Sequence, residues 1–293
     1  MIAMKRELRI EEREALLGRM LILPALLVIT GLIVYPILYN IYLSFFDVHV
    51  YEANRFIGFK NYLDIVLDRE FWGAFYTTIV YVIGTTLGTT LMGLLVALVM
   101  NREFPLRGLV RSLILLPYVA PLISVVFSWQ FLFDPVNGIV MHTLVEQLRL
   151  LPERINLIGS PKNGIWVAVL FSIWKNFPFT YLMLLSRLQA IDQNLYEAAE
   201  IDGASALQKF WYLTLPELYF VMGAVILLRF IWNFNKFEEI FLLAPNVKVL
   251  SVYTYYTAFT GTLDLGKGAA LAVVQFSILI IFILFYVRKV LKW

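Results

Sequence analysis

Two groups of polar residues stand out in an otherwise apolar chain. Three acidic residues, Glu197, Glu200 and Asp202, lie in a short polar segment between two long apolar stretches. Two cations, Lys175 and Arg229, lie near the middles of those apolar stretches. The acidic group is suited to bind a protein partner, whereas a cation within a membrane needs water, backbone carbonyls or a partner subunit. Neither group has the paired acid and base that an intramembrane enzyme would need.

The composition identifies an integral membrane protein. Hydrophobic residues make up 60% of the 293 residues and charged residues only 15%, whereas a soluble domain carries roughly 25% charged residues. The chain has no cysteine, which excludes disulfides, thiolate catalysis and cysteine-bound metals. His49 and His142 have no companions at metal-ligand spacing, so no metal site is predicted. The net charge of +3 indicates basic membrane-flanking loops and not nucleic-acid binding.

Long apolar stretches predict an all-α membrane protein with six transmembrane helices, since about 20 apolar residues span a bilayer. The predicted spans are 20–46, 73–99, 112–133, 165–188, 218–237 and 268–288. Residues 1–19 carry charges of both signs and no cleavage site, so they are expected to remain as a tail before a membrane domain at 20–293. An even number of spans places both termini on one side.

The distribution of lysine and arginine predicts the orientation. These residues are more frequent in the two tails and in the second and fourth loops than in the other three loops. Because basic residues favour the cytoplasmic side, both termini and the loop at 191–216 are predicted to be cytoplasmic.

Small residues and prolines indicate how two spans pack. Gly84 and Gly88, four residues apart, form with nearby threonines a face that allows another helix to approach closely. Pro117 and Pro121 should bend the third span and free backbone carbonyls that protein or water must satisfy.

The loop at 191–216 is predicted to form two short helices. Asp192 is a suitable N-cap for a helix at 195–202, and Gly203 is suited to a left-handed stop. A second helix is expected at 206–213, followed by Thr214 as the cap of the next span and Pro216 in its first turn. An interfacial helix without a protein partner would present basic residues, so the acidic residues favour a protein partner.

This loop resembles the EAA loop of binding-protein-dependent ABC importer permeases, in which a coupling helix docks into a groove on a separate ATPase subunit. The resemblance implies that ATP and Mg²⁺ bind that partner and that this chain holds no cofactor. The run 261–268 has the glycines and lysine of a Walker A loop but lacks its final Ser or Thr, so it does not predict ATP binding. The implied coupling residues are Glu197, Ala198, Ala199, Asp202, Gly203, Leu215 and Pro216.

The resemblance extends over most of the chain. The segment 56–62 and the stretch around Trp174 and Pro178 are similar to the carbohydrate-type permeases for maltose and glycerol-3-phosphate. The family's Gly-Gly-Gly-Pro element is replaced by the sequence Leu-Ala-Pro-Asn at 243–246. The resemblance implies a plasma-membrane subunit in the lipid bilayer that assembles with a second permease, ABC ATPase subunits and an extracytoplasmic solute-binding protein.

The same resemblance, together with the residue types around the two cations, gives a candidate pathway for a sugar-like solute. Its residues are Ser172, Lys175, Asn176, Phe179, Arg229, Trp232, Asn233 and Lys236. Such residues also serve to hold helices together, and the cations suit either a neutral or an anionic ligand. The alternatives are a permease for glycerol-3-phosphate, a polyamine or an amino acid, or, outside transport, a membrane scaffold or an intramembrane enzyme.

Overall fold

The computed structural model describes residues 2–49, 54–260 and 263–291, and side chains between residues 14 and 290. The chain forms two compact units. The first comprises Met1–Leu67 and Tyr256–Val274, and the second comprises Asp68–Tyr255 and Gln275–Trp293. Apart from one short β-ribbon, the regular structure of the described residues is helical, as the sequence predicts.

The first unit begins with a nearly continuous helix. Helix α1 (Ile2–Ile29) leads through a π-helical turn at Thr30–Val34 into α2 (Tyr35–Leu43). Residues 2–19 of the predicted tail are thus part of α1, because strong helix formers precede the apolar stretch and extend its helix. The π turn lies just before Pro36, which cannot donate a backbone hydrogen bond.

A two-stranded antiparallel ribbon follows α2, which the all-α prediction did not include. Strand β1 (Phe46–Asp47) pairs with β2 (Arg55–Phe56), and α3 (Lys60–Leu67) comes next. The Asn61 side-chain amide donates to the backbone carbonyls of Ser44 and Phe46, both at 2.9 Å. This buried amide fixes the turn between α2 and the ribbon.

The second unit is organised around two long helices, α4 (Arg69–Met100) and α8 (Pro161–Gln189). A Cβ added to Gly84 would lie 3.3 Å from Val169, so the two backbones approach closely at this point. The predicted small-residue face is thus confirmed as a packing surface. The hydroxyls of Thr85 and Thr89 donate to carbonyls four residues earlier at 2.7 Å, which satisfies their polar groups within the helix.

The third apolar stretch is broken. In place of one bent helix at 112–133, the chain forms α5 (Arg107–Val119) and α6 (Leu122–Leu132), which meet at 93°. Ala120 is extended because the ring of Pro121 disfavours a helical conformation in the residue before it.

The remaining helices complete the two units. They are α7 (Ile139–His142), α9 (Gln193–Ile201), α10 (Ala206–Lys209), α11 (Leu215–Phe234), α12 (Glu238–Leu243), α13 (Leu250–Phe259) and α14 (Leu265–Tyr286). Helix α14 takes up the end of the run at 261–268, whose residues 261 and 262 lie outside the described part of the chain. Among the described residues, five helices are long and apolar enough to cross a membrane, or up to six if the bent pair counts as one span.

Candidate functional site

The first half of the polar loop folds as the sequence predicts. Asp192 caps α9 by accepting a hydrogen bond from the Asn194 backbone amide at 3.0 Å. The helix ends at Ile201, one residue earlier than expected, and Gly203 adopts a left-handed conformation with φ of 76°. A residue with a Cβ is disfavoured there, so this glycine permits the chain to reverse after α9.

The second half differs from the prediction. Ser205 and Gln208 form a capping box at the start of α10. From there the helix runs through a π turn at Phe210–Thr214 directly into α11. Thr214 is helical and makes no side-chain cap bond, so it does not start a new helix, whereas Pro216 lies in the first turn of α11 as predicted. The wider π turn, in which the Leu215 amide donates to the Phe210 carbonyl, accommodates a proline that lacks its own donor.

Three side-chain contacts stabilise the loop and the helices that flank it. Lys209 pairs with Glu200 at 2.5 Å, and the hydrogen bond from this lysine lowers the pKa of the Glu200 carboxyl. The Tyr196 and Thr214 hydroxyls are 2.9 Å apart. Arg187, at the end of α8, pairs with the side chain of Glu217 on α11. The contacts thus join α10 to α9, α9 to the helix that continues as α11, and α8 to α11.

The exposed tip of the loop presents one apolar and one acidic residue together. Ile201 is 87% exposed, and Glu197, also exposed, precedes it by four residues on the same helix. Ala198, Asp202 and Gly203 are exposed beside them, and Ala199 is half-buried. This arrangement gives a narrow, protruding surface suited to a complementary groove.

Two predicted coupling residues are not part of this tip. Leu215 and Pro216 belong to α11, where they line a separate groove of about 440 Å³ with Trp211 and Tyr219. Their position beyond the tip follows from the continuous helix through the π turn.

Lys175 is held by the break in the third apolar stretch. Its Nζ donates to the carbonyls of Pro117 and Ala120 at 3.2 and 3.0 Å. These are carbonyls that the prolines free from regular helical bonding. The prediction that a cation within a span faces carbonyls is confirmed at this residue.

Arg229 is directed into the protein. It is 3% exposed and donates to the backbone carbonyl of Asn176. Its guanidinium lies 4.9 Å from the ring centre of Phe179 and 5.5 Å from that of Trp232. Contact with ring faces stabilises a buried cation, and this arrangement brings together four of the predicted pathway residues.

A buried hydrogen-bond chain contains two residues that the sequence analysis missed. Tyr81 donates to Ser172 at 3.0 Å, and Ser172 donates to a carboxylate oxygen of Glu239 at 3.1 Å. The other oxygen of Glu239 pairs with Lys236 at 3.0 Å. Glu239 lies just beyond residue 237, where the fifth predicted span ends, so the apolar pattern does not indicate it as a partner of the cations within the spans. Its spacing of three residues from Lys236 was the available signal.

Two predicted pathway amides are hydrogen-bonded inside the protein, that of Asn176 within α8 and that of Asn233 from α11 to α4. Asn176 donates to the Ser172 carbonyl at 2.9 Å, and Asn233 donates to the Thr86 hydroxyl at 3.2 Å. Ser172, Asn176 and Asn233 are all buried. Of the predicted pathway residues, Phe179, Trp232 and Lys236 retain appreciable exposure.

A cavity of about 430 Å³ lies beside the exposed members of this group. It is lined by Leu122, Ile231, Trp232, Asn235, Lys236, Phe237, Glu238 and Glu239. Its size is within the range of about 300–1,000 Å³ that is typical of small-molecule sites. The lining combines an aromatic face with charged and amide groups, which is suited to a polar solute.

In the first unit, His49 has acidic neighbours that sequence spacing did not indicate. The ligand-type atoms of Asp47, His49 and Asp264 lie within 4.8 Å of one another. His49 is 3.1 Å from Asp47, and Asp264 accepts from the Lys267 backbone amide at 2.8 Å. Backbone pairing between His49 and Asp264 brings these residues together from distant parts of the sequence.

The comparison with protein families decides the class of this membrane protein. Residues 89–292 match the family described as "Binding-protein-dependent transport system inner membrane component". The chain belongs to this family. It is a permease component of a transport system in the membrane and not an enzyme.

Relatives and solved structures agree with this assignment over nearly the full chain. The inner membrane ABC transporter permease protein YcjO of Escherichia coli (strain K12) is 41% identical over 273 residues, covering 92% of this chain and 93% of the relative. The trehalose/maltose transport system permease protein MalF of Thermococcus litoralis is 31% identical over 284 residues, covering 96% and 95%. A crystal structure of a bacterial ABC transporter involved in import of the acidic polysaccharide alginate shares the fold, with a TM-score of 0.79, 23% identity and coverage of 97% and 99%.

Proposed function

We propose that this protein is one of two permease subunits of an ATP-driven importer for a carbohydrate, which an extracytoplasmic binding protein delivers. Membership of the binding-protein-dependent family supports the assembly. The relatives supply the substrate class, since MalF of Thermococcus litoralis is a trehalose/maltose transport system permease. The second permease and the ABC ATPase subunits follow from the same resemblance.

The proposed coupling to the ATPase subunits rests on the exposed tip of the loop. Glu197 would face a basic residue of the ATPase, while Ile201, at 87% exposure, would fill an apolar pocket in its groove. The small side chains of Ala198 and Ala199 keep this helix narrow, and Asp202 and Gly203 form the turn beside it. ATP and Mg²⁺ would bind the ATPase, and closure of the ATPases would move the loop as a rigid body.

The proposed topology has six spans, with the bent pair of α5 and α6 counted as one. The loop at 191–216 then joins the fourth and fifth spans in the cytoplasm, and both termini are cytoplasmic. The basic residues of the tails and of the second and fourth loops support this orientation. The membrane domain occupies residues 20–293, with the first helix extending beyond it towards the N-terminus.

The proposed solute pathway passes the cavity beside Trp232. Phe179, Trp232 and Lys236 are its exposed members, and the buried residues Ser172, Asn176 and Asn233 support them. Lys175 and Arg229 are positioning residues here, because their donors point to backbone carbonyls.

The experiment is a detergent pull-down of the tagged chain, comparing wild type with Glu197→Lys. Wild type should recover the ATPase, whereas the variant should remain in the membrane and lose it. Glu103→Lys is the matched control, because Glu103 is also exposed but lies outside the loop. An ATPase recovered equally with wild type and Glu197→Lys would exclude the proposed role of the loop tip.

A further inference from the structure

We infer that a groove between α4 and α5 binds an anionic phospholipid, whose acyl chain lies in the groove and whose phosphate lies at two arginines beside it. The groove has a volume of about 320 Å³, and all the residues that line it are apolar. It is formed by five residues of α4 between Met92 and Met100 and by Val110 and Ile114 of α5. The inference goes beyond the proposed function, because it concerns a lipid of the surrounding membrane and not the solute.

The lining residues of α4 form one face of this helix. They are Met92, Leu95, Val96, Val99 and Met100, which recur at spacings of three or four residues along the face. Leu95 is 61% exposed and Val99 is 60% exposed, so the groove is open to the surroundings of the helix. A helix rises about 12 Å from Met92 to Met100, which is within the ~15 Å of hydrocarbon in one leaflet. The groove therefore matches the part of an acyl chain that lies within one leaflet.

The face of α5 that borders the groove also carries the two arginines. Arg107, Val110, Arg111 and Ile114 lie at positions i, i+3, i+4 and i+7, which places them on one side of the helix. Arg107 is the first residue of α5, so this side changes from basic at the loop to apolar within the span. Such a face suits a lipid headgroup at one end and its acyl chain at the other.

A shared backbone carbonyl holds both guanidinium groups at the end of α4. Arg107 Nε donates to the Met100 carbonyl at 2.9 Å, and Arg111 Nη2 donates to the same oxygen at 3.5 Å. Met100 also lines the groove. The two cations are therefore fixed where the apolar groove ends.

The formal charge at this end of the groove is positive. Among the residues that the structure describes, no carboxylate lies within 4.0 Å of a side-chain nitrogen of Arg107 or Arg111. The connection between the two helices adds Arg102 and Glu103, both exposed, whose formal charges cancel. A guanidinium can donate two parallel hydrogen bonds to a phosphate. Basic pockets between transmembrane helices bind anionic headgroups on the cytoplasmic side, where the proposed topology places this end of α4.

The test measures lipid binding by the purified full chain together with the subunits that co-purify with it. Native mass spectrometry compares phosphatidylglycerol with phosphatidylcholine of the same acyl chains. Each basic residue near an anionic surface strengthens binding about fivefold, so wild type should prefer phosphatidylglycerol by about 25-fold. The double variant Arg107→Gln/Arg111→Gln should lose this preference. Arg69→Gln is the matched control, because Arg69 is exposed at the opposite end of α4.

A second pair of variants tests the groove without changing any charge. Leu95→Trp fills the groove and should lose most of the bound phosphatidylglycerol. Leu91→Trp is its control, because Leu91 is 60% exposed on the same helix but does not line the groove. This pair decides the question even where loss of the two arginines also destabilises the end of α4.

Three results would overturn the inference. The first is equal binding of the two lipids by wild type, and the second is an equal loss of lipid in Leu95→Trp and Leu91→Trp. The third comes from phosphatidylglycerol with a photoreactive acyl chain, which should label residues 92–100 and 110–114. Labelling confined to a co-purifying subunit would show that the groove does not hold this lipid.

Discussion

The hydroxyl of Tyr196 lies 2.9 Å from the hydroxyl of Thr214 and thereby joins the loop helix α9 to the helix that continues as α11. Thr214 is buried, and α11 carries Arg229 and Trp232 at its other end. A displacement of the exposed loop tip would therefore act on one end of the helix whose other end borders the cavity. This contact is a direct mechanical link between the proposed ATPase-binding surface and the proposed solute pathway.

Removing the Tyr196 hydroxyl should weaken this link without unfolding the loop. Because a typical hydrogen bond contributes about 0.5–1.5 kcal/mol, Tyr196→Phe should reduce solute transported per ATP hydrolysed by about two- to tenfold. The measurement is uptake and ATP hydrolysis in proteoliposomes. Tyr212→Phe is the control, since Tyr212 is 78% exposed, and an equal effect in both variants would contradict the prediction.

Lys175→Met should destabilise the break between α5 and α6. The carbonyls of Pro117 and Ala120 would lose their shared donor, and each buried unsatisfied group costs about 1–3 kcal/mol. The thermal midpoint of the detergent-solubilised protein should fall by several degrees. Lys248→Met provides the comparison, because Lys248 pairs with Glu70 at an exposed position where an ion pair contributes little. A midpoint unchanged in Lys175→Met would show that the break does not need this lysine.

The close packing of α4 on α8 should not tolerate a larger residue at Gly93. A Cβ there would lie 2.7 Å from Thr180 Cγ2 and 3.0 Å from the backbone nitrogen of Tyr181. Gly93→Val should therefore destabilise the protein by about 1–3 kcal/mol, as overpacked cores do. Gly73→Val lies on the same helix with nothing within 4 Å of the added Cβ, so its thermal midpoint should stay near that of wild type. Similar losses in both variants would argue against tight packing at Gly93.

The Lys209–Glu200 pair predicts a pH dependence of the loop. Lys209 lowers the pKa of the Glu200 carboxyl through a hydrogen bond. A carboxyl whose pKa is lowered on folding stabilises the fold above its unfolded pKa, and this contribution is lost as the pH falls through the lowered value. Lys209→Met should therefore raise the pKa of Glu200 towards the ordinary range.

Infrared titration of the carboxylate band measures this shift. The band is assigned to Glu200 by its absence in Glu200→Gln. Lys248→Met, which removes an exposed lysine elsewhere, should leave the band's titration unchanged. A Glu200 pKa that is the same in wild type and Lys209→Met would contradict the assigned contact.

The sequence by itself determined the membrane class, most of the helices and the first half of the polar loop. These features depend on interactions between residues near in sequence. Asp192 caps the residues that follow it, and Gly203 permits a local reversal that other residues disfavour. The glycines of α4 likewise indicate a close contact with another helix, although the sequence does not identify that helix as α8.

The tertiary structure alone decided how the polar groups within the membrane are paired. Lys175 and the carbonyl of Ala120 are 55 positions apart, and Ser172 and Glu239 are 67 apart. No local pattern indicates contacts between residues so far apart in sequence. The sequence alone was therefore consistent with either a neutral or an anionic ligand near these cations. The fold directs Lys175 and Arg229 to carbonyls because a charge removed from water must find a partner where the helices bring one. The capping signal of Thr214 likewise did not predict that the helix continues through the π turn at Phe210–Thr214, where this side chain makes no cap bond.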